Sequence, residues 1–270
     1  MYTRKGSKSQ ARQIWRNQSQ ISSLAKRMKE TYTTNYYAMT GHKGAIEYPG
    51  YLFPLIDPGS LAPIFSSQNG GVNSYGPHAK LNWLDLKGIV QIEQGDAVVS
   101  VDLFLMRMRP DAAEQVKADL GGALIPDLVQ VNTLPPFNGT FNGSFYHNSG
   151  NATLEGRQFT MMNPKAFEVL QKRSFLVGDV PYSQVFSAEP AEVTNIKDAN
   201  KPFHFRIPYP IKLSNPVGAL PTGVSQSWKT MAASEVPSHK QLFLFASVNA
   251  VENTAVFVDW SLTASINEPN

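Results

Sequence analysis

The chain has no cysteine. Disulfide frameworks, thiolate catalysis and zinc sites with a sulfur ligand are thereby excluded. Charge is scarce too, at 17% of residues against the ~25% usual for soluble domains. No apolar run approaches the ~18 residues of a spanning helix. The first 30 residues lack the continuous apolar stretch of a secretory signal. What remains is a chain of 270 residues, 42% apolar, long enough to bury a large core unaided. These features predict a globular body and no membrane partner.

Acids are missing altogether from residues 1–29, which hold eight basic side chains: Arg4, Lys5, Lys8, Arg12, Arg16, Lys26, Arg27 and Lys29. Residues 30–270 carry 16 basic and 21 acidic groups. A basic arm thus precedes a mildly acidic body, and only the arm attracts polyanions. If residues 11–29 were helical, Ile14, Ile21, Leu24, Ala25 and Met28 would share one stripe. Arg12, Arg16, Lys26 and Arg27 would lie opposite, with Trp15 among them. Cations for phosphate and an aromatic face for a base are the chemistry of sequence-tolerant single-strand binding. A solvated tail and a surface helix docked by its stripe fit the composition equally well. A stripe of five modest apolar residues is weak for a membrane-surface helix.

Turn signals crowd the stretch from Tyr32 to Pro77, including Pro49-Gly50, Asp57-Pro58-Gly59 and Asn69-Gly70-Gly71. It reads as extended chain and loops, with one short strand at Tyr51–Ile56. From Leu81 the pattern becomes β-like. Leu84, Leu86, Val90 and Ile92 alternate with polar residues, and Val98 to Met108 is apolar on both faces. Further strands are expected at Leu128–Leu134, Phe141–His147, Phe167–Val177, Phe203–Leu213, Gln241–Asn249 and Thr254–Ile266. Asp111 and Glu114 fit a helix N-terminus, with Gly121-Gly122 as its stop. The expectation is an all-β, eight-stranded antiparallel jelly roll, two sheets of four strands with one or two short helices in connections. Its divisions are a basic arm over 1–30, an extended segment over 31–80 and the jelly-roll domain over 81–270.

Sites of chemistry are hard to find. His42, His78, His147, His204 and His239 are scattered, and none lies within four residues of another histidine, so no metal site is expected. There is no Gly-x-Ser-x-Gly elbow and no P-loop. A carboxylate pair such as Asp96 and Asp102 suits acid–base work on a β-sandwich, but nothing selects it from 21 acids. No catalytic residue, cofactor or metal is predicted. The loop from Pro135 to Glu155, with Phe137, Phe141, Phe145 and Tyr146 among Asn and Gly, suits either a contact surface or an ordinary long hairpin.

Three segments together resemble capsid proteins of circular, Rep-encoding single-stranded DNA viruses. Ala166–Val177 is similar to their "F-x-V-L-x-[DK]-[KR]-x-[FY]" strand. Phe203–Leu213 looks like the strand that follows it, and Gln241–Ser247 with Ala255–Trp260 like the closing hairpin. The likeness is one of pattern and order over about residues 81–266. It implies a single jelly roll that self-assembles into an icosahedral shell, commonly of about 60 copies. It also implies an arm from Arg4 to Lys29 that faces a packaged single-stranded genome, DNA ahead of RNA. The virion, and the host nucleus during assembly, are the implied locations. Relatives carry denser arginine tracts; here Ser and Gln dilute the arm. A non-viral β-sandwich module, lectin-like or cytokine-like, with the arm as a tether is the competing class, and a glycosidase is third.

Overall fold

The computed structural model describes residues 7–30, 32–46, 50–65, 76, 78–94, 99–110, 146–148, 160–178, 181–183, 192–194, 200–215, 227–249 and 255–269. The chain opens with helix α1 (Ser7–Glu30). No Gly or Pro interrupts these 24 residues, and Gln, Ala, Lys and Arg favour the helix throughout. After it the described residues are strands with short 3₁₀ turns. The strands are β1 (Tyr32–Ile46), β2 (Gly50–Pro54), β3 (Ala62–Pro63), β4 (His78–Gln94), β5 (Val99–Met108), β6 (Tyr146–Asn148) and β7 (Thr160–Met162). They continue with β8 (Phe167–Val177), β9 (Pro181–Ser183), β10 (Glu192–Thr194), β11 (Asn200–Ser214), β12 (Leu242–Asn249) and β13 (Ala255–Pro269).

Two antiparallel sheets form the body. One has the order β11-β4-β13-β1-β3 and the other β2-β12-β5-β8; β6-β7 and β9-β10 are separate two-stranded ribbons. Among the described residues, the eight strands of five residues or more pair from the outside of the chain inward. The first pairs with the eighth (β1 with β13), the second with the seventh (β2 with β12), the third with the sixth (β4 with β11) and the fourth with the fifth (β5 with β8). β5, β12 and β13 are interior strands, each with a partner on both sides.

The main core lies between the sheets. Leu84, Leu86 and Val90 of β4 and Val258, Leu262 and Ala264 of β13 meet Val101, Leu103 and Leu105 of β5 and Leu242, Leu244 and Val248 of β12. A second buried cluster covers the far face of the four-stranded sheet. It joins Phe104, Met106 and Met108 to Phe243, Phe245, Leu52, Met162 and Phe167. That is why β5 is apolar at nearly every position: both its faces are buried, and period-2 alternation disappears. The five-stranded sheet has core on one face only. Its strands alternate, with Phe203, Phe205, Ile207 and Tyr209 buried and His204, Arg206 and Pro208 exposed along β11.

Two expectations need correction. The segment read as loop over 31–80 contains β1, a 15-residue strand that pairs with β13 along almost its whole length. The sandwich therefore begins at Tyr32, not near Leu81. The larger sheet has five strands among the described residues instead of four, because β3 adds to the outer edge of β1. The helix expected over 111–120, the strand over 128–134 and most of the 135–155 loop lie outside the described residues. Within that loop Tyr146–Asn148 forms β6, paired with β7.

Candidate functional site

Helix α1 carries the residues expected at nucleic acid. Lys8, Arg12, Trp15, Arg16, Lys26, Arg27 and Lys29 all fall within Ser7–Glu30; Arg4 and Lys5 lie outside the described residues. At ~100° per residue, Arg12, Trp15, Arg16 and Ser19 share one face, and Ile14, Ile21 and Leu24 share the opposite one. Trp15 is 69% exposed, and Ile14, Ile21 and Leu24 are 58–65% exposed. The stripe is therefore not docked on the sandwich, which removes the surface-helix alternative for residues 10–24. Beside Trp15, Gln18, Ser19, Ser22 and Ser23 line a shallow groove with amide and hydroxyl groups. The helix is ~36 Å long at 1.5 Å per residue. It is not apolar enough to cross a membrane.

A second polar concentration lies on the solvent face of the five-stranded sheet, where histidines distant in sequence meet carboxylates. Register brings His42 of β1 opposite Asp259 of β13, and the two side chains are hydrogen-bonded. His204 of β11 hydrogen-bonds Asp85 of β4, and Lys87 Nζ lies 3.2 Å from the same carboxylate. Burial disfavours the charged form of Asp85, yet the hydrogen bonds from His204 and Lys87 outweigh it and hold its pKa below the ordinary value. Between the two pairs runs a shallow trough of about 970 Å³ that crosses four strands. Thr40, Ser261, Lys87 and His204 form one rim, and His42, Asp259, Ile89 and Pro202 the other.

Farther along the same face the chemistry turns aromatic. Tyr36, Ser265, Trp83 and Pro208 occupy one row across β1, β13, β4 and β11. The Tyr36 and Trp83 ring centroids are 6.1 Å apart, and the Arg206 guanidinium sits 5.8 Å from the Trp83 ring. Sequence reasoning missed this grouping and both His–Asp pairs, since partners such as His42 and Asp259 stand 217 residues apart. The one available signal was the alternation of Trp83, Asp85, Lys87 and Ile89 against Leu84, Leu86 and Val90, which puts the first set on the solvent side.

Of the Asp96/Asp102 pair, only Asp102 is among the described residues. Asp102 is 1% exposed and its carboxylate pairs with Lys172 at 3.1 Å, whose ammonium also lies 4.9 Å from the Phe104 ring. Among the described residues no three His, Asp or Glu side chains converge as metal ligands. The sequence matches no protein-family model and no curated protein.

Proposed function

We propose that this chain is the coat protein of a small virus, a jelly-roll subunit that self-assembles into an icosahedral shell and packages a single-stranded genome through α1. The strand pairing carries the reading. First with eighth, second with seventh, third with sixth and fourth with fifth is the order that results when one long antiparallel ribbon rolls into two facing sheets, the jelly-roll arrangement of capsid, lectin and cupin domains. A basic helix directly ahead of that body, with its aromatic and apolar residues undocked, favours the coat protein among these. Its cations neutralise phosphates, and Trp15 offers a stacking face. The likeness of β8, β11 and the β12–β13 hairpin to strands of circular single-stranded DNA virus capsids points to DNA as the cargo. The shell location is the virion, assembled in the host nucleus.

Size decides this proposal. Purified protein studied by light scattering and negative-stain electron microscopy is expected to give closed particles of a few megadaltons, with a nuclease-resistant nucleic-acid absorbance. A species about three times 29.8 kDa, or a monomer at every pH and salt concentration, would overturn it in favour of a β-sandwich binding module with a basic tether.

A further inference from the structure

Building on the nucleic-acid reading above, we propose that the solvent face of the five-stranded sheet is a second single-strand-binding surface. In it Trp83 and Tyr36 stack bases while Lys80, Arg206 and Lys212 hold phosphates. Residues 30–270 are net acidic, so the expectation was that α1 alone contacts the genome. The fold redistributes that charge. Among the residues whose side chains are described, this face carries Lys80, Lys87, Arg206 and Lys212 against Asp85 and Asp259.

The cations fall into two groups. Lys87 is already matched to Asp85, which also holds His204, and His42 is matched to Asp259. These lie along the trough. Lys80, Arg206 and Lys212 make no ion pair among the described residues, and they flank Trp83 at the β4–β11 end of the aromatic row. Lys80 and Lys212 are directly opposite in the β4–β11 register. Both point to solvent, since Ala79, Leu81 and Leu213 beside them are buried. Like charges directly opposite on antiparallel strands repel, and an anion between them removes the repulsion. The sheet itself places no carboxylate there. Along β4, Trp83 lies between Lys80 and Asp85, the residue opposite Arg206 in the register. The Trp83 ring thus stands between the Lys80/Lys212 pair and Arg206, with Tyr36 farther across the sheet on β1.

Tyr36 is 40% exposed, and both rings sit on long strands, Trp83 on β4 between β11 and β13 and Tyr36 on β1 beside β13, so the platform is formed before a ligand arrives. Bases splayed from a single strand can lie on such rings, as they do on the sheet faces of RNA-recognition domains. Paired bases in a duplex cannot. The combination of rings with unpaired cations favours a nucleic acid strand over an acidic peptide, which would use the cations and leave the rings idle.

The test uses the full chain, a fluorescein-labelled 20-mer of oligothymidylate and its bromodeoxyuridine analogue. Lys80→Ala/Arg206→Ala/Lys212→Ala is expected to lower the slope of log K against log salt by about 2, at roughly 0.7 per phosphate contact. Trp83→Ala should weaken binding about 5-fold or more, and Trp83→Phe should restore it. Photocrosslinks are expected on Trp83 as well as on α1. Wild-type slope and affinity in the triple variant, beside a reduced slope in Arg12→Ala/Arg16→Ala, would overturn the sheet surface while leaving the arm reading intact. Absence of binding by the unmodified chain would overturn both. A labelled polyglutamate peptide that bound as tightly as the oligonucleotide, with the same sensitivity to the triple variant, would also overturn the assignment. Matching thermal melts of each variant and the unmodified chain separate these outcomes from misfolding.

Discussion

Gly41 of β1 and Trp260 of β13 face each other in register, and the indole fills the space a side chain at position 41 would need. A Cβ built on Gly41 would stand 2.3 Å from Trp260 Cζ2. Trp260 in turn packs edge-on against Phe53 of the other sheet, with ring centroids 6.2 Å apart. The glycine is thus required by space, at a point where the two sheets are joined by aromatic rings. Gly41→Ala is expected to lower stability by about 1–3 kcal/mol, the usual cost of overpacking a core. Urea denaturation followed by tryptophan fluorescence measures it, and an unchanged midpoint would mean that the indole relocates freely.

Gln241 is the buried polar group most engaged with backbone. Its side chain accepts from Ile56 N–H at 2.9 Å and donates to the Ile56 carbonyl at 2.7 Å and the Ala233 carbonyl at 3.1 Å. It therefore ties the chain after β2 to the 3₁₀ turns that lead into β12. Gln241→Leu leaves those buried backbone groups unmatched, and each costs about 1–3 kcal/mol. Expected outcomes are a clear loss of stability in denaturant and faster hydrogen exchange at the Ile56 amide.

Asp85 predicts a dependence on acid. Its folded-state pKa lies below the ordinary 3.8, because the hydrogen bonds from His204 and Lys87 overcome its desolvation. A carboxyl lowered by folding stabilises the native state in its ionised form. That contribution is present above about pH 4 and is lost as pH falls through the lowered value. Asp85→Asn is expected to melt lower than the unmodified chain at pH 7 and to converge with it as pH falls below the ordinary carboxylate range. Parallel curves of melting temperature against pH would show that the His204–Asp85 bond does not contribute.

The exposed helix makes the arm separable from the sandwich. Removal of residues 1–29 is expected to leave the strands folded by circular dichroism while most nucleic-acid content is lost from particles. Arg12→Ala with Arg16→Ala should lower the salt slope of oligonucleotide binding by about 1.4, whereas Trp15→Ala should weaken binding at unchanged slope. A normal absorbance ratio in particles without the arm would make α1 a structural element only.

Much of the sandwich was legible in the amino-acid order. β5, β8, β11, β12 and β13 announce themselves by β-branched and aromatic runs, and the double-faced apolarity of Val99–Met108 correctly indicated burial on both sides. β1 reads as loop, although Tyr32, Thr33, Thr34, Tyr36, Tyr37 and Thr40 favour strands. Its inward positions are Tyr37, Met39 and Gly41, and Gly41, Lys43 and Gly44 interrupt the run. Its strand character comes from pairing with β13 and from the fit of Trp260 over Gly41, a partner more than 200 residues away. Local propensity carries no trace of such a contact.

The same division holds for the candidate sites. Charge counting alone located the basic arm, because a run of cations without acids is a property of the covalent chain and its attraction to polyanions needs no fold. Helical periodicity then put Trp15 and Arg16 beside Arg12, since neighbours three and four residues apart meet on any helix. The sheet face could not be read this way. Lys80 and Lys212, Tyr36 and Trp83, and His204 and Asp85 are each brought together by strand register. Register is a long-range outcome, set by which alternating positions can be buried together. Sequence determined the arm and the alternation of the strands; only tertiary pairing decided which of their outward side chains became neighbours.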